Sequence, residues 1–125
     1  MIVDDSPILR KFVSQLLQKN GLKVLAACDG VEAMELIEAK SPDLVIVDIL
    51  MPRMNGYELC RWLKNNPKTQ DIPVVLCTVK DEQVDRYWGM KQGGDAYFAK
   101  YDNPAELLRT VIKLLLKSKS QTYSE

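Results

Sequence analysis

Short apolar runs alternate with longer amphipathic stretches five times along the chain, and no other feature narrows the fold as much. The apolar runs cover residues 2–3, 23–27, 44–47, 74–77 and 96–99, and the amphipathic stretches cover 7–20, 31–40, 56–66, 82–92 and 104–117. Strands separated by helices run parallel, and their near-continuous apolar runs suit a sheet buried on both faces. The expectation is an α/β fold: a (βα)5 doubly wound, five-stranded parallel sheet covered by helices on both sides.

The helix starts carry their own signals. Ser6-Pro7 and Asn103-Pro104 each offer a cap followed by a proline whose missing N–H costs nothing in the first turn. Asp29 and Asn55 each stand three residues ahead of a glutamate, Glu32 and Glu58, the spacing of a capping box. Ile8, Phe12, Val13, Leu16 and Leu17 are expected to share one sheet-covering face of the first helix, and Leu107, Leu108, Val111, Ile112 and Leu115 that of the last. Residues 118–125, SKSQTYSE, are polar and aperiodic, so the domain is expected to span 1–117 with a polar tail at 118–125. Only Met1, Ile2 and Val3 precede the first acidic residue, which is short for a central strand, so further residues are expected upstream.

Composition removes several function classes. Lys plus Arg and Asp plus Glu are equal at 17 each, and no basic stripe carries interleaved aromatics, which argues against direct nucleic-acid binding. No apolar run spans a bilayer and no leader pattern is present, so no membrane partner is expected and the cytoplasm is the expected compartment. Histidine is absent, which excludes Ser-His-Asp and Cys-His catalysis and His-ligated zinc. Cys28, Cys60 and Cys77 have no metal-ligand spacing and are expected to be reduced thiols in apolar surroundings.

In an open α/β sheet, ligands bind beyond the carboxyl ends of the strands. The polar residues there are Asp4 and Asp5 after the first run, Asp48 after the third, Thr78 after the fourth and Lys100 after the fifth. With strand order 2-1-3-4-5 these ends form one row, Asp5 beside Asp48, Thr78 one strand on, and Lys100 leaning back over both. Singly, each has an ordinary structural reading: a turn acid, a loop acid, a cap, a solvated lysine. Together, three carboxylates at one edge repel and call for a cation, and hard oxygen donors suit Mg²⁺. Such a site beside an amine can carry phosphoryl transfer.

The segments VDDSP, VDILMPRMNG, CTVKD and DAYFAK resemble the motif set of response-regulator receiver domains, the CheY-like, flavodoxin-like family, over residues 1–117. NGYELCRWLKNNPKTQDIPVVLCT and DRYWGMKQGGDAY are further similar to single-domain regulators of twitching motility and phototaxis, especially cyanobacterial ones. The resemblance implies a two-component signalling domain that accepts a phosphoryl group from a sensor histidine kinase or a phosphotransfer protein. Its only catalysis would be its own phosphorylation and dephosphorylation. Carried over residue by residue, it makes Asp48 the phospho-acceptor, with Asp5, Asp48 and the backbone carbonyl of Leu50 as Mg²⁺ ligands and Asp4 holding the ion through water. Thr78 would bond the phosphoryl group, Lys100 would neutralise it, and Tyr97 would turn inward when Thr78 moves. A downstream signalling protein would read the surface of the fourth helix, fifth strand and last helix.

Tyr101 stands where the family usually has proline, Val79 is bulkier than the usual residue after the threonine, and the first strand is clipped. A phosphorylation-independent, receiver-like interaction module is therefore the alternative function. A haloacid-dehalogenase-type phosphatase needs Asp-x-Asp, whereas Asp4 and Asp5 are adjacent and on a regular strand would point to opposite faces. A flavodoxin-like FMN site fails because the first loop offers carboxylates where a phosphate needs donors. Trp88, Met90, Tyr97 and Tyr101 cluster around a helix that Gly89 softens by about 1 kcal/mol, a place where a signal can be read out.

Overall fold

The computed structural model describes residues 1–51, 53–78, 91, 93–99 and 103–123. Five parallel strands, β1 (Ile2–Val3), β2 (Ala26–Ala27), β3 (Val45–Asp48), β4 (Val74–Thr78) and β5 (Ala96–Ala99), form one sheet in the order β2-β1-β3-β4-β5. The helices described are α1 (Pro7–Lys19), α2 (Gly30–Lys40), α3 (Gly56–Asn65) and a C-terminal helix, Pro104–Tyr123. The helix expected over 82–92 lies outside the described residues except at its end.

The alternation of side chains along each strand splits the core in two. Val3, Val45, Val47, Val74, Leu76 and Tyr97 pack with Ala33 and Ile37 of α2 and Leu59 and Leu63 of α3. Ile2, Ile46, Val75 and Cys77 face the other way, against Val13 and Leu17 of α1 and Val111 of the C-terminal helix. The sheet is therefore covered on both sides, as a parallel sheet requires.

The caps form as the spacing suggests. Leu9 N–H approaches Ser6 Oγ at 3.4 Å, Glu32 N–H donates to Asp29 at 2.9 Å and Glu106 N–H to Asn103 at 3.1 Å. Asn55 and Glu58 complete a reciprocal capping box at the start of α3.

Three expectations about helices need correction, the first being that Ile112, read onto the sheet-covering face of the last helix, is 38% exposed. Ile8 is 79% exposed and Phe12 43% exposed, so they do not share the buried face of α1. At about 100° per residue, Val13 and Leu17 sit about 40° apart, whereas Ile8 lies about 140° to 180° from both. The last helix does not end at Lys117 but runs to Tyr123, because a helix already nucleated continues through polar residues at small cost. No helix among the described residues is long and apolar enough to cross a membrane.

Candidate functional site

β1 and β3 are paired at Ile2–Ile46 and Val3–Val47, so Asp4 and Asp48 leave the sheet level with one another, each one residue past the last pair. Both are almost fully buried, with exposures of 2% and 4%. Asp48 closes a strand whose four residues are all buried, so the backbone carrying its carboxylate is held on both sides. Asp4 is tied by its own N–H to Ala27 O at 3.1 Å, and its carbonyl accepts from Arg10 Nη1 at 2.7 Å.

The carboxylates meet local backbone donors. Ser6 N–H donates to Asp4 Oδ1 at 2.9 Å, and Leu50 N–H donates to Asp48 Oδ1 at 3.1 Å. Asp5 is exposed, yet Asp4, Asp5 and Asp48 each present a carboxylate oxygen within 4.8 Å of the others. The expectation that Asp4 and Asp5 face apart is thus overturned. The chain leaves the strand after Val3, so the two-residue alternation no longer governs them. Three hard, anionic oxygen donors with no sulfur or nitrogen among them fit a magnesium ion.

The loop after Asp48 is shaped by a glycine. Gly56 N–H donates to Ile49 O at 3.0 Å, and a Cβ at Gly56 would lie 2.6 Å from the Asp48 carbonyl oxygen and 2.8 Å from Ile49 Cα. Only glycine lets the start of α3 come this close to the backbone that carries Asp48. Leu50, whose carbonyl is the expected fourth ligand group, lies in this loop and is 52% exposed.

Thr78 ends β4, buried at 2%, and pairs in register with Ala99. Asp48 pairs with Cys77 rather than with Thr78, so Thr78 stands one residue higher on the neighbouring strand. Tyr97 pairs with Leu76 and is 6% exposed, inside the core on the α2–α3 side. Of the aromatic group expected near the fourth helix it alone is described, and it is a core residue. Lys100, Tyr101, Val79, Trp88, Gly89 and Met90 lie outside the described residues.

Cys60 and Cys77 are buried as expected, and burial pushes the Cys60 thiol up to about 11. Cys28 departs from the expectation of apolar surroundings. Its Sγ approaches Glu32 at 3.3 Å and Asp29 at 3.7 Å, and the hydrogen bond to Glu32 is the main reason its thiol is pushed above the ordinary range. Asp29 also binds Arg53 through an ion pair. The Asp29 carboxyl is held below its ordinary range first by the Glu32 N–H and then by Arg53. Sequence reasoning assigned Asp29 only its cap and gave Arg53 no role. An arginine after the third strand and a cap acid 24 residues earlier carry no local signal that they meet.

Residues 1–112 match the response regulator receiver domain family, and the chain belongs to it. It is therefore a signalling domain of two-component systems, with the CheY-like arrangement of strands. The chain is 37% identical to protein PilH of Pseudomonas aeruginosa over 115 residues, which is 92% of this chain and 95% of that one. It is 37% identical to protein PilG of the same organism over 111 residues, covering 89% of this chain and 82% of that protein. Among solved structures, the chemotaxis response regulator CheY4 of Vibrio cholerae superposes with a TM-score of 0.84 at 30% identity, over 90% of this chain and 94% of that one. The chain spans about half the length of a transcriptional regulator that it also matches.

Proposed function

We propose that this domain accepts a phosphoryl group on Asp48 from a sensor histidine kinase or a phosphotransfer protein, with residues 1–117 as the working unit and Mg²⁺ as cofactor. The observation that carries the reading is the meeting of Asp4, Asp5 and Asp48 at the carboxyl edge, with Asp48 buried at the end of a rigid strand. An Asp48 carboxylate oxygen forms the bond to phosphorus as the phosphorus–nitrogen bond to the donor's imidazole breaks. The acceptor stays in place because its strand is buried on both faces and its Oδ1 is oriented by Leu50 N–H.

Asp5, Asp48 and the Leu50 carbonyl would ligate the ion directly and Asp4 would hold it through water. Bound magnesium would neutralise charge on the transferring group. Lys100 would add its ammonium to the phosphoryl group, and Thr78 its hydroxyl, with Tyr97 taking up the space that Thr78 vacates. A downstream protein would then read the surface built from 82–92, β5 and the C-terminal helix. The setting is taken to be the cytoplasm, where kinase and target meet.

A small acyl-phosphate donor with Mg²⁺ should add one phosphoryl group, seen by intact mass and labile to base. Asp48→Asn should abolish it, and omission of Mg²⁺ should suppress it. Modification of Asp48→Asn at the wild-type level would remove Asp48 from the role. No modification of either protein, together with no measurable Mg²⁺ binding, would leave the phosphorylation-independent interaction module.

A further inference from the structure

We propose that Arg53 is a positioning residue, whose ion pair with Asp29 clasps the loop following Asp48 onto the start of α2 and thereby sets how readily the acidic cluster takes Mg²⁺. The inference rests on the reading of Asp4, Asp5 and Asp48 as a magnesium site.

Among the described residues, several anchors hold the loop that joins β3 to α3. At its start Leu50 N–H donates to Asp48 Oδ1 at 3.1 Å, and at its end Gly56 N–H donates to Ile49 O at 3.0 Å. Both contacts close the loop on itself. The lateral anchor is the ion pair of Arg53 Nη2 with Asp29 Oδ2. Asp29 is a fixed partner: it is 8% exposed, and its other oxygen accepts Glu32 N–H at 2.9 Å at the start of α2. The neighbouring residue Met54 also docks there, its side chain filling the space where a Gly30 Cβ would stand, 2.8 to 2.9 Å away.

Arg53 has a φ of 67°, in the left-handed region that L side chains adopt only where surroundings hold them. Its side chain pairs with Asp29 at the start of α2, a contact that the sheet does not provide. Because the Arg53 side chain is 62% exposed, the pair adds little to global stability. Its effect is local, on a loop whose Leu50 carbonyl faces the task of binding a cation. A residue five positions past Asp48 can in this way govern metal affinity without touching the metal.

The test titrates MgCl₂ into the full chain at constant ionic strength, read by calorimetry, for wild type, Arg53→Ala, Arg53→Gly, Asp29→Asn and the double variant Arg53→Ala/Asp29→Asn. Asparagine keeps an acceptor for Glu32 N–H, so the cap survives in Asp29→Asn. Each single variant should bind Mg²⁺ about threefold to tenfold more weakly, below the usual cost of losing a residue that bonds a ligand directly. The double variant should be no weaker than the weaker single, and urea midpoints in EDTA should barely move. Wild-type affinity in Arg53→Ala and Asp29→Asn overturns the proposal, as does wild-type affinity in Arg53→Gly alone, which would assign the effect to backbone φ. Additive losses in the double variant also overturn it. Asp5→Ala separates the two levels: if its Mg²⁺ affinity equals wild type, the magnesium reading itself fails. If Asp5→Ala loses affinity while the Arg53 variants keep it, only the clasp fails.

Discussion

Asp48→Asn should make the metal-free protein more stable, although it removes the residue on which the proposed chemistry depends. The substitution is nearly isosteric and leaves an amide oxygen to accept Leu50 N–H, so packing and the local hydrogen bond survive. What it removes is one negative charge from a set of carboxylates with oxygens within 4.8 Å of one another. At that separation two unit charges repel by about 3.5 kcal/mol at an effective dielectric of about 20, and by about 1 kcal/mol in bulk water. Asp4 and Asp48 are both buried and Asp5 is not, so the Asp4–Asp48 pair sets the scale and Asp5 adds a smaller, screened share. A gain of about 1 to 3 kcal/mol is expected in urea unfolding at neutral pH with EDTA. Magnesium should reverse the order, since it stabilises a native state that binds it and Asp48→Asn has lost a ligand. A metal-free Asp48→Asn protein less stable than wild type would mean that the carboxylates are not in net repulsion, and the electrostatic argument for a cation would fall with it.

Gly56→Ala should cost about 1 to 3 kcal/mol and weaken Mg²⁺ binding, because its Cβ would lie 2.6 Å from the Asp48 carbonyl oxygen and only backbone can yield; unchanged urea midpoints would refute the contact. Beryllofluoride with Mg²⁺, standing in for the phosphoryl group, should shift backbone amides across residues 82–101, and Thr78→Ala should shrink those distant changes. Shifts confined to the surroundings of Asp4, Asp48 and Lys100 would rule out the Thr78–Tyr97 switch.

The parts of this fold that were legible in the sequence are those set by local rules. Caps depend on residues three apart, and Ser6, Asp29, Asn55 and Asn103 all bond as their spacing requires. Burial of the β3 and β4 runs follows from continuous apolar sequence. The acidic cluster was legible because parallel sheets gather strand ends at one edge, so Asp4, Asp5 and Asp48 meet although 43 residues separate the second from the third. What failed was finer than topology. Ile8 and Phe12 were counted as core by their hydrophobicity, yet their angular position on α1 exposes them. Cys28 was read by its apolar predecessors, whereas its Sγ meets Glu32, one helical turn ahead. Arg53 and Asp29 meet only in the folded chain.

The strand register bears on how a change at Asp48 can travel. Asp48 is level with Cys77, whose side chain belongs to the core beside α1 and the C-terminal helix. Thr78 follows Cys77, and alternation along β4 puts it on the side of Leu76, the residue paired with Tyr97. The proposed acceptor and the proposed responders therefore belong to opposite faces of one sheet, and they approach each other only at its carboxyl edge. A hydrogen bond that drew Thr78 towards a phosphoryl group on Asp48 would pull a buried side chain away from the α2–α3 side of the core, next to a buried Tyr97. Interiors packed this tightly respond by choosing between arrangements rather than by deforming gradually. A bias of a few kcal/mol is enough to move such an equilibrium. Removing the Thr78 hydroxyl should accordingly separate the two halves of the behaviour, leaving Asp48 open to modification while Tyr97 and the face it supports no longer register it.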